Sequence, residues 1–345
     1  MMAKRPIAFA NARLVDPATG YDGPGALLVS GGVIADRIEG ADPGAISADA
    51  EVIDAGGAML CPGLVDLRVK TGEPGAEPKE TLKSAALAAA AGGVTSIVVQ
   101  PDTSPAVDDP SVVDFILRRA RDIELVHVYP AGAATKGLAG ERMAEIGLMR
   151  DAGCVYVTDA DRPIVNSKVF RRLLAYARGF GVLVAHRPAD PWLAAGAAAT
   201  EGELAGRMGL PSFNEVDIGD YRTFCKVDPP LRSEDDRQAT IEALASGLID
   251  IVVSAHAPAP AEDKRLPYDE AAPGAVGLQT LLPALLALYH EGRMPLLDLM
   301  AKVTSRPADL LGLTAGRLTK GAPADLVLCD LDAPMVVDLA DLRSK

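Results

Sequence analysis

The spacing of hydrophobic residues changes twice along the chain, and these changes divide it into three regions. Up to residue 61, short apolar runs alternate with Gly, Pro and Asp, as is typical of short antiparallel strands. From residue 62 to 312, strand-like runs such as VTSIVV alternate with helix-like runs such as KETLKSAALAAAA. From residue 313 the strand-like pattern returns. We therefore predict domain boundaries at these two changes.

The alternation in the middle region indicates the fold class. Repeated βα units build parallel sheet with right-handed connections, and so many units in a row favour a closed barrel. We predict an α/β fold with a TIM-like (β/α)8 barrel at 62–312, including a strand in IDIVVSAHAP at 249–258. Regions 1–61 and 313–345 are predicted to form the two halves of a small β-sandwich.

Composition narrows the possible partners and the cell compartment. The chain has 34 basic and 47 acidic residues, a net charge of −13, which argues against nucleic acid or an anionic membrane as partner. No apolar run approaches the roughly 18–20 residues of a membrane span, and the N-terminal apolar run is too short for a signal peptide. The four cysteines are scattered singly, which favours a reducing compartment and a cytoplasmic location: Cys61, Cys154, Cys225 and Cys329.

Polar and charged residues stand at the carboxyl ends of the predicted barrel strands, where α/β barrels place their reactive groups. The first strand ends with two cations two positions apart, and later strands end with acids or histidines. In chain order these residues are Arg68, Lys70, Asp102, Asp159, His186 and His256. His127 and His290 lie outside these strand ends, and we interpret them as ordinary structural or surface residues.

Five segments resemble dihydroorotases and related cyclic amidohydrolases, and they occur in the order found in that family. They are Pro62–Thr95, Thr135–Glu141, Pro229–Arg237, Pro273–Pro283 and Gly316–Asp330. The resemblance covers nearly the whole chain. It implies the metallo-dependent hydrolase barrel of that family, in which zinc bound at the strand ends serves hydrolysis of a cyclic amide.

The metal-binding positions implied by the resemblance are changed in this sequence. Arg68 and Lys70 replace the family's His-x-His pair, and a cation has no lone pair to give a metal. Ala255 replaces the aspartate that binds metal and acts as general base. The arginine that holds the substrate carboxylate falls on Gly72, and a substrate-binding asparagine falls on Asp102.

The acids and histidines that remain are interpreted as a vestigial pocket made of Asp159, His186, His256 and Asp102. We expect no catalytic residue and no bound metal; if a metal were bound, His186 and Asp159 would hold it. Lys70 as a low-pKa base or Schiff-base lysine is the less favoured alternative. We also predict that Arg68 or Lys70 forms a salt bridge with Asp159 or Asp102, supplying the positive charge that the metals give in the family.

The chain is shorter than the family pattern near Ser212 and Asn214, where a further βα unit is expected. Such a unit has on the order of 30 residues. The family's last sandwich strands are also missing after Lys345. Either the chain is truly shortened, or segments of the natural chain are absent from this sequence; we favour the second interpretation.

The resemblance and the changed residues together give a leading hypothesis on function. It is a dihydroorotase-like protein of de novo pyrimidine biosynthesis that is inactive, binds no cofactor and is a structural partner of aspartate carbamoyltransferase. We also expect it to form a homo-oligomer. One alternative is an active zinc-dependent dihydroorotase or a related cyclic amidase of hydantoinase or allantoinase type. Another is a metal-free small-molecule sensor.

Overall fold

The structure is a computed structural model that describes residues 5–40, 49–192 and 222–345. Its N-terminal part forms a six-stranded sheet in the order β12-β5-β1-β2-β3, with β4 paired to β1. The strands are β1 (Ile7–Asp16), β2 (Tyr21–Ser30), β3 (Val33–Glu39), β4 (Glu51–Asp54), β5 (Met59–Pro62) and β12 (Leu326–Cys329). The strand from the far end of the chain is antiparallel to β5, with Leu328 opposite Leu60.

This sheet has its own hydrophobic core, separate from the core of the barrel. Leu14, Leu27, Ile34, Leu60 and Leu318 have no exposed surface and pack together. Strand β12 is shorter than the C-terminal pattern suggests. Residues 334–338 form no strand, and their apolar side chains are exposed. The two ends of the chain therefore share one sheet, while the exact domain boundaries stay a prediction.

Parallel strands and helices alternate from residue 64, as expected for a TIM-like barrel. The strands form two three-stranded sheets. They are β6 (Leu64–Val69), β7 (Val94–Val99), β8 (His127–Pro130), β9 (Gly132–Ala133), β10 (Tyr156–Thr158) and β11 (Leu183–Val184). β8 pairs with β7 and β9 pairs with β10. Between them, the backbone N–H of Ala131 donates to the carbonyl of Val99 at 2.9 Å, so the stretch from 127 to 133 joins the two sheets.

Helices alternate with the strands as far as β11, and further helices lie between residues 234 and 311. They are α1 (Leu82–Ala91), α2 (Pro110–Ile123), α3 (Ile146–Ala152), α4 (Ser167–Gly179), α5 (Glu234–Ala245), α6 (Ala261–Lys264), α7 (Leu281–His290), α8 (Leu296–Ala301) and α9 (Ser305–Leu311). α1 begins with a capping box, in which Thr81 and Ser84 satisfy each other's backbone N–H groups. Its Leu82, Ala85 and Ala89 are buried in the barrel core.

The predicted strand at 249–258 lies where it was expected but forms no strand ladder. It runs beside β6, where the N–H of Lys70 donates to the carbonyl of His256 at 2.8 Å. Other groups take the remaining ladder positions. The N–H of Ser254 donates to the Asp66 carboxylate at 3.3 Å, and the N–H of Val65 donates to the carbonyl of Val303 at 2.8 Å. The prediction of a regular strand was wrong. The Asp66 side chain and the loop that contains Val303 take hydrogen bonds that a ladder between this segment and β6 would need.

The four cysteines are free thiols, and Cys61 and Cys154 are buried. In the described parts of the chain, no helix is both long enough and apolar enough to cross a membrane. The βα unit expected near Ser212 and Asn214 lies outside the described residues.

Because Leu82 anchors α1 in the barrel core, we expect Leu82→Ala to lower the free energy of unfolding by about 2–5 kcal/mol. The matched control is Leu87→Ala in the same helix, whose side chain is 39% exposed. We expect the control to cost less than about 1 kcal/mol. Equilibrium denaturation of both variants measures the difference, and equal losses would show that α1 is not held by this contact.

Candidate functional site

Two cations at the end of β6 meet acidic side chains from neighbouring strand ends. Arg68 and Lys70 are two positions apart, so both point to the same side of the strand. Both form ion pairs with Asp161, which lies in the turn after β10. The Nζ atom of Lys70 also lies 2.7 Å from Oδ2 of Asp102, which follows β7. The predicted pairing of Lys70 with Asp102 is therefore confirmed.

A third cation extends this cluster across the mouth of the barrel. Arg187, after β11, donates from its two terminal nitrogens to the Asp228 carboxylate at 2.6 and 2.5 Å. It also lies 4.0 Å from Oδ1 of Asp161. We call these six residues the mouth network: Arg68, Lys70, Arg187, Asp102, Asp161 and Asp228. Sequence reasoning missed Asp161, Arg187 and Asp228, although the first two directly follow polar strand ends that it had singled out.

The mouth network fixes the charge states of its members. Burial alone would raise the pKa of Asp161, but Lys70 and Arg68 outweigh burial and lower it. Burial alone would lower the pKa of Lys70, but Asp102 and Asp161 outweigh burial and raise it. Lys70 is therefore held as a cation at neutral pH, which argues against a low-pKa catalytic lysine.

Asp159 lies outside the mouth network, so of the two partners predicted for the cations, Asp102 is the one that the structure shows. Its two carboxylate oxygens accept hydrogen bonds from the backbone N–H and the hydroxyl of Thr135, at 2.8 and 2.5 Å. Burial raises its pKa, opposed by these hydrogen bonds. Ala160 turns the chain between Asp159 and Asp161 with a positive φ of 52°. A local hydroxyl and amide therefore satisfy Asp159, and Asp161 meets the cations instead.

The side chains of the two candidate histidines contact groups other than the mouth network. His256 is fully buried; its Nδ1 accepts from the N–H of Gly277 at 3.1 Å, and its Nε2 lies 3.4 Å from buried Glu80. The ring of His186 packs against Phe170 of α4, with ring centroids 4.5 Å apart. The structure therefore uses each histidine in packing or hydrogen bonding.

The described residues do not fit the zinc site that the family resemblance implies. Across residues 5–40, 49–192 and 222–345, no three or more His, Cys, Asp or Glu side chains come together in a way that could hold a metal ion. Arg68 and Lys70 stand where the resemblance implies metal ligands, and both are engaged with carboxylates. A protonated side chain at such a position has no lone pair that could bind a metal ion, and its positive charge repels the metal.

The backbone is unusual at two further positions where the resemblance implies functional residues. The carbonyl of Gly72 accepts from the N–H of Ala76 at 2.5 Å, and a β-carbon at Gly72 would overlap the carbonyl oxygen of Ala76. This loop therefore has no room for the arginine of the family. Ala255 has a positive φ of 51° and carries only a methyl group at the position where the resemblance implies an aspartate.

Comparisons with known proteins identify the family. A Dihydro-orotase-like family model matches residues 57–221, and an Amidohydrolase family model matches residues 215–344. The chain is 35% identical to a dihydroorotase from Anaplasma phagocytophilum, over 98% of this chain and 89% of the relative. It is 36% identical to one from Anaeromyxobacter dehalogenans, over 96% and 90%. The chain belongs to the dihydroorotase family.

Solved structures of the wider superfamily share the fold. The chain superposes on the L-hydantoinase (dihydropyrimidinase) from Arthrobacter aurescens with a TM-score of 0.82, 24% identity, and coverage of 99% of this chain and 90% of that one. The D-hydantoinase from Thermus sp. gives a TM-score of 0.62 at 19% identity, with coverage of 93% and 86%. The predicted amidohydrolase-type TIM-like barrel with an attached β-domain is therefore confirmed.

The alignment with the Anaplasma relative also shows that this member differs in length. It runs over 400 positions although the chain has 345 residues, so at least 55 of those positions have no counterpart in this chain. The chain is therefore shorter than this relative inside the matched region. The position of the shortening near Ser212 stays a prediction.

The lowered pKa of Asp161 makes the stability of the protein depend on pH. Because the folded pKa lies below the unfolded value of about 3.9, the carboxylate stabilises the fold above that value and loses its effect as the pH falls through the folded pKa. We expect Asp161→Asn to lower the free energy of unfolding by about 1.5–3 kcal/mol near neutral pH. The difference from wild type should shrink below about pH 4.

Denaturant titrations of both proteins across this pH range measure the effect. The control is Asp22→Asn, which removes the carboxylate of the more exposed Arg13–Asp22 pair and should cost at most about 1 kcal/mol. If the difference in the free energy of unfolding between Asp161→Asn and wild type did not change with pH, the lowered pKa of Asp161 would be contradicted.

Proposed function

We propose that this member of the dihydroorotase family is catalytically inactive and acts as a structural partner of aspartate carbamoyltransferase in de novo pyrimidine biosynthesis. The observation that carries the first half is the mouth network. Arg68 and Lys70 stand at two metal-ligand positions of the family, and the carboxylates of Asp161 and Asp102 neutralise them. Because both side chains are cations paired with carboxylates, neither of these positions offers a ligand to a metal ion.

The described residues also supply no replacement for the catalytic groups. Ala255 has no group that can accept a proton, and a positioned general base contributes typically 10²–10⁴-fold to rate. Asp102 and Asp161 are tied up in ion pairs, and Asp159 accepts two hydrogen bonds from Thr135. Gly72 leaves no space for a side chain that would hold a substrate carboxylate. Binding and proton transfer are therefore both impaired.

The resemblance supports the second half of the proposal. Inactive dihydroorotase-like proteins of this family act as structural partners of aspartate carbamoyltransferase, and such a role requires the folded body of the barrel without its chemistry. The described residues contain a continuous hydrophobic cluster with buried side chains from β6, β7 and α1. A protein with a structural role needs this core but does not need catalytic residues at the barrel mouth.

An active zinc-dependent cyclic amidohydrolase is the alternative. The identity of about 35% to proteins named dihydroorotase favours it. The inactive structural partner and the active enzyme differ in the metal content and the turnover that each predicts. Stoichiometric zinc in the purified chain, together with hydrolysis of dihydroorotate, would establish the enzyme and refute the proposal.

Restoring the family's two histidines should not restore activity. We expect Arg68→His with Lys70→His to lose the ion pairs to Asp161 and so to lower the free energy of unfolding by at least about 1.5–3 kcal/mol. Dihydroorotate hydrolysis with added zinc should stay at the level of the wild type, because Ala255 and Gly72 are unchanged. The measurements are the hydrolysis assay, metal analysis and denaturation. Zinc-dependent turnover in this double variant would show that these two positions alone had blocked catalysis.

Association with aspartate carbamoyltransferase is tested directly. The full chain is co-expressed with the aspartate carbamoyltransferase of the same organism and analysed by size-exclusion chromatography with light scattering. We expect both chains in one peak of defined stoichiometry, with no dihydroorotate hydrolysis by that complex. Separate elution of the two chains at micromolar concentration would refute the structural role. The Leu87→Ala variant, altered on one exposed helix position, serves as a folded control that should still associate unless α1 forms the interface.

A further inference from the structure

Three cations converge on a single carboxylate at the barrel mouth. Asp161 forms ion pairs with Arg68 and Lys70, and its Oδ1 lies 4.0 Å from Arg187. The cations come from the ends of β6 and β11, and Asp161 comes from the turn after β10. The carboxyl ends of barrel strands are where this fold binds small molecules. The three cations therefore form a carboxylate-binding site, and the carboxylate of Asp161 occupies it.

Within the part of the chain that the structure describes, Arg68 and Lys70 keep N–H donors without a protein acceptor. Among the described residues, Arg68 has a side-chain partner at only one of its terminal nitrogens, and a guanidinium has five N–H donors. Lys70 pairs with two carboxylates and has three donors. Arg68, Lys70 and Arg187 are 24%, 25% and 28% exposed, so solvent reaches all three. An external anion can therefore reach these three side chains.

The backbone beside Asp161 holds this residue at a conformational cost. Ala160 adopts a left-handed conformation, with φ at 52°, which is unfavourable for a residue with a β-carbon. The N–H of Arg162 closes the turn by donating to the carbonyl of Asp159 at 3.0 Å. Strained turns of this kind occur at sites that bind or switch, where surrounding contacts maintain them. Here the ion pairs of Asp161 are contacts that maintain the turn, so an anion that replaced Asp161 would let the turn relax.

The charge balance of the mouth network defines the ligand. Three cations face three carboxylates, Asp102, Asp161 and Asp228, so the network is neutral. When Asp161 leaves, one positive charge is uncompensated, and a single monoanion restores neutrality. A dianion would leave a negative excess among partly buried groups.

We propose that the barrel mouth binds one carboxylate group of a small monoanionic molecule, with Arg68 and Lys70 as direct ligands. Asp161 is a tethered competitor that occupies the same site when the ligand is absent. The proposal rests on the metal-free mouth of the proposed function, but it is independent of any partner protein. Metal analysis of the same samples separates the two, because a zinc-loaded protein would refute the proposed function before any anion is added.

The test uses acetate as the probe and the full chain as the protein. The thermal unfolding midpoint is measured against sodium acetate, with sodium chloride at matched ionic strength as reference. In Asp161→Ala the competitor is gone, so we expect a saturable rise of the midpoint with acetate. Wild type should show the same rise at concentrations at least tenfold higher, because the tethered carboxylate competes at a high effective concentration.

Two controls separate binding from a general salt effect. Asp22→Ala removes a carboxylate of the same 23% exposure from an ion pair outside the mouth, and it should respond to acetate as wild type does. Arg68→Gln combined with Asp161→Ala should lose the acetate response of the single variant. If Asp161→Ala does not fold, Asp161→Asn takes its place, and binding of carbon-13 acetate to wild type is followed by NMR.

Saturable binding to wild type that tightens in the Asp161 variant and depends on Arg68 supports the proposal. A response confined to the variant, with none in wild type, overturns it and leaves Asp161 as a permanent structural partner. An equal response of Asp22→Ala and Asp161→Ala also overturns it, because acetate would then act on the whole protein.

Discussion

The neutralisation of two cations at the end of one barrel strand is the constraint on which the mouth of this protein depends. Arg68 and Lys70 are about a quarter exposed, so each has lost much of its hydration. A partly buried cation without a partner is strongly unfavourable, and opposite charges must therefore come from neighbouring strands. Asp102 and Asp161 provide these charges. The mouth is consequently held by direct ion pairs between its own side chains.

A buried polar layer beneath the mouth network keeps the strand ends in register. The hydroxyl of Tyr156 in β10 donates to the carbonyl of Leu67 in β6 at 2.5 Å. The amide of Gln100 reaches both Leu67 and Tyr156, at 3.3 and 2.7 Å. Burial raises the pKa of Tyr156, so its hydroxyl stays protonated and can donate. These contacts tie β6 to β7 and β10 directly below Arg68, and so they fix the distance between the cations and the turn that carries Asp161.

Membership of the dihydroorotase family and a mouth held by ion pairs are compatible because fold and chemistry depend on different residues. The fold depends on buried apolar side chains of β6, β7 and α1, such as Leu64, Ile97 and Leu82, which have no exposed surface. The chemistry depends on a few polar residues at the strand ends, and function in such barrels is carried by these sites. Substitutions at Arg68, Lys70 and Ala255 can therefore alter the site while the core is preserved.

The sequence by itself determined the order of strands and helices as far as β11, the meeting of β12 with the N-terminal sheet, and which polar residues stand at the strand ends. These follow from hydrophobic spacing and from local residue identity. It also allowed the Lys70–Asp102 pair to be predicted, because adjacent parallel strands end side by side. Only the tertiary structure decided that Asp161, and not Asp159, meets the cations. The reason is a positive φ at Ala160 and a hydroxyl from Thr135, 24 residues earlier, which no pattern near Asp159 reveals. The same applies to the Arg187–Asp228 pair and to the segment beside β6, whose partners are far apart in the chain and are brought together only by the closure of the fold.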